Sequence, residues 1–190
     1  MSRKVIIMVM GIFGVVSCGL PEKKVDQEKL VDQEKLVFLE STQKGSVDPI
    51  FIPYVNDIKM TLQKYGVYPE KLHKIDFVSI SFGVAPKPKN NSDKVSSAGI
   101  CYYQVTNQGN KYWISIRDAV IDTSVWNKST EEVRKIVVAH EIAHCAWHLP
   151  HKDQENKIMS PIVDEVPEME WDILAEDINN STIEDYLKIK

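Results

Sequence analysis

The sequence predicts an α+β domain: a small mixed β-sheet with a helix behind it that carries His140, Glu141 and His144. Three observations lead there. Residues 74–84 and 99–121 hold runs that alternate apolar and polar side chains, the two-residue period of strands. Residues 129–147 open with a capping signature and continue as an apolar run at helical spacing. Residues 140–151 gather four of the chain's five histidines, among them a pair four positions apart, the separation that stacks side chains on one helical face.

Composition sets the outer bounds. The chain has 190 residues, 43% hydrophobic and 26% charged, which suits one globular domain with an appendage. Its formal net charge is -4 and it shows no Lys/Arg stripe, which argues against nucleic acid as a partner. Three cysteines are too few for a disulfide-built scaffold.

The first residues read as a leader. MSRK is a short positive region, and the twelve apolar residues VIIMVMGIFGVV are too few to span a bilayer as a helix. VVSC then sets small Ser17 before Cys18, which resembles the bacterial lipobox. The resemblance implies removal of residues 1–17, a lipid on the Cys18 sulfur and anchoring in a membrane; an ordinary signal peptide is the plainer alternative. The same resemblance implies, from Gly19 where inner-membrane lipoproteins carry an aspartate, a place at the outer membrane or cell surface if the cell has two membranes. Residues 18–46 read as a charged tether. In it VDQEKLVDQEKL, Val25 to Leu36, is a perfect six-residue duplication, a period that fits no stable coiled coil. Residues 47–190 read as the folded domain.

Within that domain, DPIFIPYVNDIKMTLQKYG spaces Ile52, Val55, Ile58, Met60 and Leu62 roughly as a helix does and stops at Gly66. KIDFVSISFGV reads as a strand, with Val78, Ile80 and Phe82 on one face and Phe77, Ser79 and Ser81 on the other. APKPKNNSD is a loop by its Pro and Asn content. GICYYQV and KYWISIRDAVI read as two further strands joined by the turn-rich TNQGN. Tyr102, Tyr103, Tyr112 and Trp113 read as sheet packing, and His73 as an ordinary polar residue. PEMEWDILAEDI and IEDYLKI read as acidic helices that pack on the domain by one apolar stripe.

The long helix should start where Ser129 stands three residues before Glu132, ahead of Val133, Ile136, Val137 and Val138. His140 and His144 then lie one turn apart on one face, able to grip a single ion, while Glu141 can approach that ion's open side without ligating it. This is the His-Glu-x-x-His spacing of zinc peptidases. Alone it is a modest signal, because surface histidines beside a solvated glutamate give the same pattern. The third ligand needs a geometric argument. Three histidines at 140, 144 and 148 on an unbroken helix would spread over about 12 Å, too far for zinc–imidazole bonds of about 2.0–2.1 Å to meet. Pro150 disfavours helix at Leu149, so the helix should end near Trp147 or His148 and the chain can turn His151 back to the metal. His151 is the favoured third ligand, and His148 stands as the alternative. Cys145, about 100° around the helix from His144, is poorly placed for a fourth.

With these residues in view, the chain resembles the metzincin-type zinc peptidases, and more closely a set of small bacterial metallopeptidase-like proteins, often lipoproteins. The shared pattern is His140, Glu141, His144, Cys145, His151 and the segment IMSP, Ile158 to Pro161. Weaker likeness runs through FIPYVNDI, ISFG, AGICYY and WISI. The better-known metzincins have glycine where this chain has Trp147, and their third histidine where it has Pro150. The resemblance implies a metzincin-like fold and a Met-turn at Met159, with Pro161, Ile162 and Val163 walling a substrate pocket. It also implies, together with export, a disulfide between Cys101 and Cys145, since the family carries cysteine in both places and an unpaired thiol is a liability where disulfides persist. Without the resemblance, Met159 would be core filler and the two cysteines small buried apolar groups.

Three neutral imidazoles leave Zn2+ an open fourth position, the arrangement of a catalytic site. The implied activity is that of a zinc metalloendopeptidase acting on a peptide or protein, with Glu141 as general base and KYWISI as the edge strand that receives the substrate. The alternative is a non-enzymatic zinc-binding surface lipoprotein with an interaction or adhesive role. Glu141 discriminates, because a structural site needs no positioned base. The chain is read as a monomer.

Overall fold

The computed structural model describes residues 37–40, 43–85, 98–108, 111–152, 157–160 and 170–182. Cys18, the duplicated VDQEKL, the loop after Ala85, Pro161 to Val163 and the second acidic helix of the C-terminus lie outside the described residues.

The architecture is mixed α and β. Four strands form one sheet: β1 (Val37–Glu40), β2 (Ser79–Gly83), β3 (Gly99–Gln108) and β4 (Lys111–Asp122). β3 runs antiparallel to β4 along nearly its whole length, from Gln108 opposite Lys111 to Gly99 opposite Ile121. β1 pairs parallel with residues 111–114 of β4, and β2 pairs parallel with residues 118–122. A strand has two hydrogen-bonding edges. β1 and β2 therefore share the edge opposite β3, one after the other, and the sheet is three strands wide where either of them pairs. A twelve-residue β4, about 40 Å long, is what gives room for both.

Two expectations change here. KYWISI is not an edge strand, because residues 111–114 of β4 are paired on both sides, by β1 and by β3. The folded domain also begins before residue 47. Val37–Glu40, expected in the tether, is a strand, and Glu40 forms ion pairs with Lys74 and with Arg117 of β4. An arginine as deeply buried as Arg117 needs a counter-charge, and β1 brings it.

The register puts Gly99, Cys101, Ala119, Ile121, Ile80 and Phe82 on one face of the sheet. Ile80, Ala119 and Ile121 are fully buried there, so the alternation in SISF points the way its apolar residues require. The first half of the expected strand behaves differently: His73–Phe77 is a 3-10 turn, closed by the Lys59–Asp76 ion pair and the His73–Asp76 contact.

The helix α4 (Glu131–Trp147) packs on that face. Thr130 caps its start by accepting from the Val133 N–H. Ser129, the expected cap, instead donates its hydroxyl to the Val125 carbonyl and closes the preceding turn. Glu131 and Glu132 in the first turn suit the positive end of the helix dipole. Val137, Val138, Ile142 and Ala146 are buried in the core, together with Val55, Ile58 and Leu62 of α1 (Ile52–Lys64) and Leu174 and Ile178 of α5 (Glu170–Asn180). Truncating a fully buried residue such as Ile142 to Ala costs about 2–5 kcal/mol. Of the apolar residues spaced along α1, Ile52 and Met60 are exposed at 46% and 62%. The described residues also hold two short helices, α2 (Pro69–Leu72) and α3 (Thr123–Trp126), the latter capped by Asp122, whose carboxylate accepts from the Ser124, Val125 and Ala85 N–H groups. Among the described residues no helix is long and apolar enough to cross a membrane.

Candidate metal centre

The end of α4 decides where the histidines go. His148 adopts the left-handed conformation, φ 57° and ψ 31°, at the helix terminus. Its N–H donates to the His144 carbonyl, the bond of an αL helix end, and the Leu149 N–H reaches back to the Ala143 carbonyl, so that two carbonyls of the last turns are satisfied. Pro150 follows, unable to continue the helix. The reversal returns His151 to the face that carries His140 and His144.

The three Nε2 atoms converge. They stand 3.0 Å apart for His144 and His140, 3.1 Å for His144 and His151, and 3.2 Å for His140 and His151. Ligands on a tetrahedral ion with bonds of about 2.0–2.1 Å stand about 3.3–3.4 Å apart. The triangle fits one such ion to within a few tenths of an ångström. The tautomers fit as well. His140 Nδ1 donates to the Ile158 carbonyl and His144 Nδ1 to the Leu149 carbonyl, both at 2.6 Å, which leaves a lone pair on each Nε2. Lone pairs at 3.0 Å cannot hydrogen-bond one another; a cation between them removes the conflict. Burial pushes the pKa of His140 down to about 4 and holds His144 well below its usual value, so both rings are neutral near pH 7, the form that binds metal.

His148 is not part of this group. Its ring is buried and meets Tyr103 of β3 edge-on, with centroids 5.5 Å apart. Burial, and then the nearby Arg117 charge, lower its pKa to about 4. Its contribution is to the turn.

Glu141 lies on the next face of α4, turned towards β3. It is 4% exposed, and its Oε2 has no hydrogen-bond partner among the described residues. Burial alone raises its pKa to about 8. A divalent cation beside it would favour the carboxylate and draw that value down. The wall against it is Gly99, the first residue of β3: a β-carbon there would lie 2.7 Å from Glu141 Cγ and Oε1. Two residues along β3, Cys101 is joined to Cys145 in a disulfide, with Cα atoms 5.5 Å apart. Cys145 is therefore no ligand. Met159 is fully buried in the turn Lys157–Met159, whose Ile158 carbonyl holds His140.

No known protein family, curated protein or solved structure matches this chain.

The structure brings together His140, His144 and His151, with Glu141 one helical position from the first of them, and sets Met159 in the turn beside His140. Sequence reasoning missed Gly99. Its only signal was a glycine at the start of an apolar strand, which marks close approach of backbone to something. It also missed Glu170, read only as part of an acidic helix but 7% exposed.

Proposed function

We propose that this chain is a zinc metallopeptidase of metzincin-like design, anchored by a lipid on Cys18 outside the bacterial cytoplasm. The observation that carries the reading is the pairing of three convergent imidazoles with a buried, uncompensated carboxylate on the adjacent helical face. A structural metal site would close its fourth position with a protein ligand, and Cys145, the nearest candidate, is already bonded to Cys101. Zinc bound at the imidazoles would supply Lewis acidity, polarising a peptide carbonyl and making a water acidic near neutral pH.

His140, His144 and His151 would hold the ion as neutral ligands. The Ile158 and Leu149 carbonyls keep the first two rings in the required tautomer. Glu141 takes the proton of the attacking water on its carboxylate and passes it to the departing amine nitrogen. The Gly99 backbone and the helix core keep bulk water from that carboxylate. No strand among the described residues pairs with the other edge of β3, and β3 borders the site through Gly99. Its outer edge, in place of KYWISI, is where an extended peptide would add.

The test is Glu141→Gln in the mature chain, assayed on a diverse peptide library with metal measured alongside. The expected result is retained zinc and activity lower by about 10²–10⁴-fold. Wild-type protein that is loaded with zinc and cleaves nothing would favour the non-enzymatic surface lipoprotein instead. Release of Cys18→Ala from the membrane fraction tests the anchor.

A further inference from the structure

α5, the acidic helix, stands on the far side of the turn that carries Met159. We infer that Glu170 and Asp177 of α5 are positioning residues for the metal centre, each fixing one of the two segments on which the ligand triangle depends. The inference deepens the metal-centre reading above and rests on it.

Glu170 opens α5 and is 7% exposed; its Oε2 accepts from the Lys157 N–H at 2.9 Å. Lys157 begins the 3-10 turn whose Ile158 carbonyl receives Nδ1–H of His140. Seven residues along, two helical turns and so on the same side of α5, Asp177 binds the Lys152 ammonium at 2.6 Å. Lys152 directly follows His151. Its own N–H donates to the Met159 carbonyl at 2.9 Å, which ties the His151 segment to the turn. Trp171, Leu174, Ala175 and Ile178 seat α5 in the core, so the two carboxylates are fixed relative to α4. The chain of contacts runs from a rigid helix through two carboxylates to a carbonyl on one ligand and the residue after another. His144 does not need such help, because its carbonyl partner Leu149 belongs to the turn that ends its own helix.

A burial this deep is costly for a carboxylate unless it is hydrogen-bonded. Supporting the α5 dipole does not explain it. Asp172 serves the same helix end from an exposed position. Outer-shell partners of metal ligands commonly contribute about 10–100-fold to metal affinity by fixing ring orientation.

The experiment measures Zn2+ and Co2+ affinity of the mature chain by chelator competition, with the Co2+ absorption spectrum and the melting temperature of the metal-free protein. Glu170→Ala is expected to weaken metal binding about 10–100-fold and to alter the Co2+ spectrum. Glu170→Gln, which keeps a carbonyl oxygen for the Lys157 N–H, is expected to restore most of the affinity. Asp172→Asn, which removes a first-turn charge without touching the site, is expected to leave affinity unchanged. Wild-type affinity in Glu170→Ala overturns the role of Glu170, whatever happens to its metal-free stability. If that variant does not fold, Asp177→Asn decides, with weaker binding expected and unchanged binding overturning the inference. Failure of the wild-type chain to bind either ion overturns the metal-centre reading itself.

Discussion

Gly99 and Glu141 are in contact: the first residue of β3 closes directly over the carboxylate on α4, so that a β-carbon at Gly99 would overlap Glu141 Cγ and Oε1 at 2.7 Å. Glu141 is 4% exposed and has little room to retreat. Gly99→Ala is expected to displace the carboxylate while sparing the ligands. Metal content should stay at one ion per chain, and kcat/KM should fall by about 10²-fold, the cost of a misplacement of roughly 1 Å. Unchanged peptidase activity in a metal-loaded Gly99→Ala protein would show that Glu141 is not held by this contact.

His151 and His148 separate by one substitution each. His151→Ala removes a corner of the ligand triangle and should abolish stoichiometric zinc. His148→Ala should keep the metal and cost stability, because its ring is buried against Tyr103. Metal analysis after dialysis checks both. Loss of metal from His148→Ala with retention in His151→Ala would reverse the assignment.

The disulfide fastens β3 to α4 across a sequence separation of 44 residues. In the chain-entropy model such a loop contributes roughly 4 kcal/mol. Cys101→Ala together with Cys145→Ala should lower the denaturation midpoint accordingly. Two alkylatable thiols at Cys101 and Cys145 in denatured, unreduced protein would count against the bond.

Acid should loosen the junction between β1 and the sheet. Burial acts to raise the pKa of Glu40, but the charges and hydrogen bonds of Arg117 and Lys74 outweigh it and leave the value below the ordinary 4.5. A carboxylate with a lowered folded pKa adds stability that is complete above its ordinary pKa and is lost as pH falls through the folded one. Stability should therefore decline below about pH 4.5, and Glu40→Gln should flatten part of that decline. At neutral pH the same variant leaves Arg117 buried without its counter-charge, at a cost of about 3–5 kcal/mol. Denaturant titrations from pH 3 to pH 7 measure both effects. Equal slopes for the two proteins would remove Glu40 from the account.

What the sequence determined by itself is local. The four-residue spacing of His140 and His144, the cap signals before Val133 and the block that Pro150 places on the helix follow from helical geometry alone, and together they led to His151. Strand periodicity likewise placed Ile80 and Phe82 on one face. What only the tertiary structure decided depends on which elements meet. KYWISI carries the same alternating pattern at an edge or in the middle of a sheet, and only the pairing of β1 with β4 shows it to be central. Thr130, not Ser129, caps α4, and the Ser129 hydroxyl donates to the Val125 carbonyl in the preceding turn. The roles of Gly99, Glu170 and Glu40 were not readable in sequence, Gly99 signalling only some close approach at the start of its strand, because what matters for each is a partner 42, 13 or 77 positions away, at Glu141, Lys157 and Arg117. Periodicity reports which way a side chain points along its own element; the identity of the atom it meets there is fixed only when the elements pack.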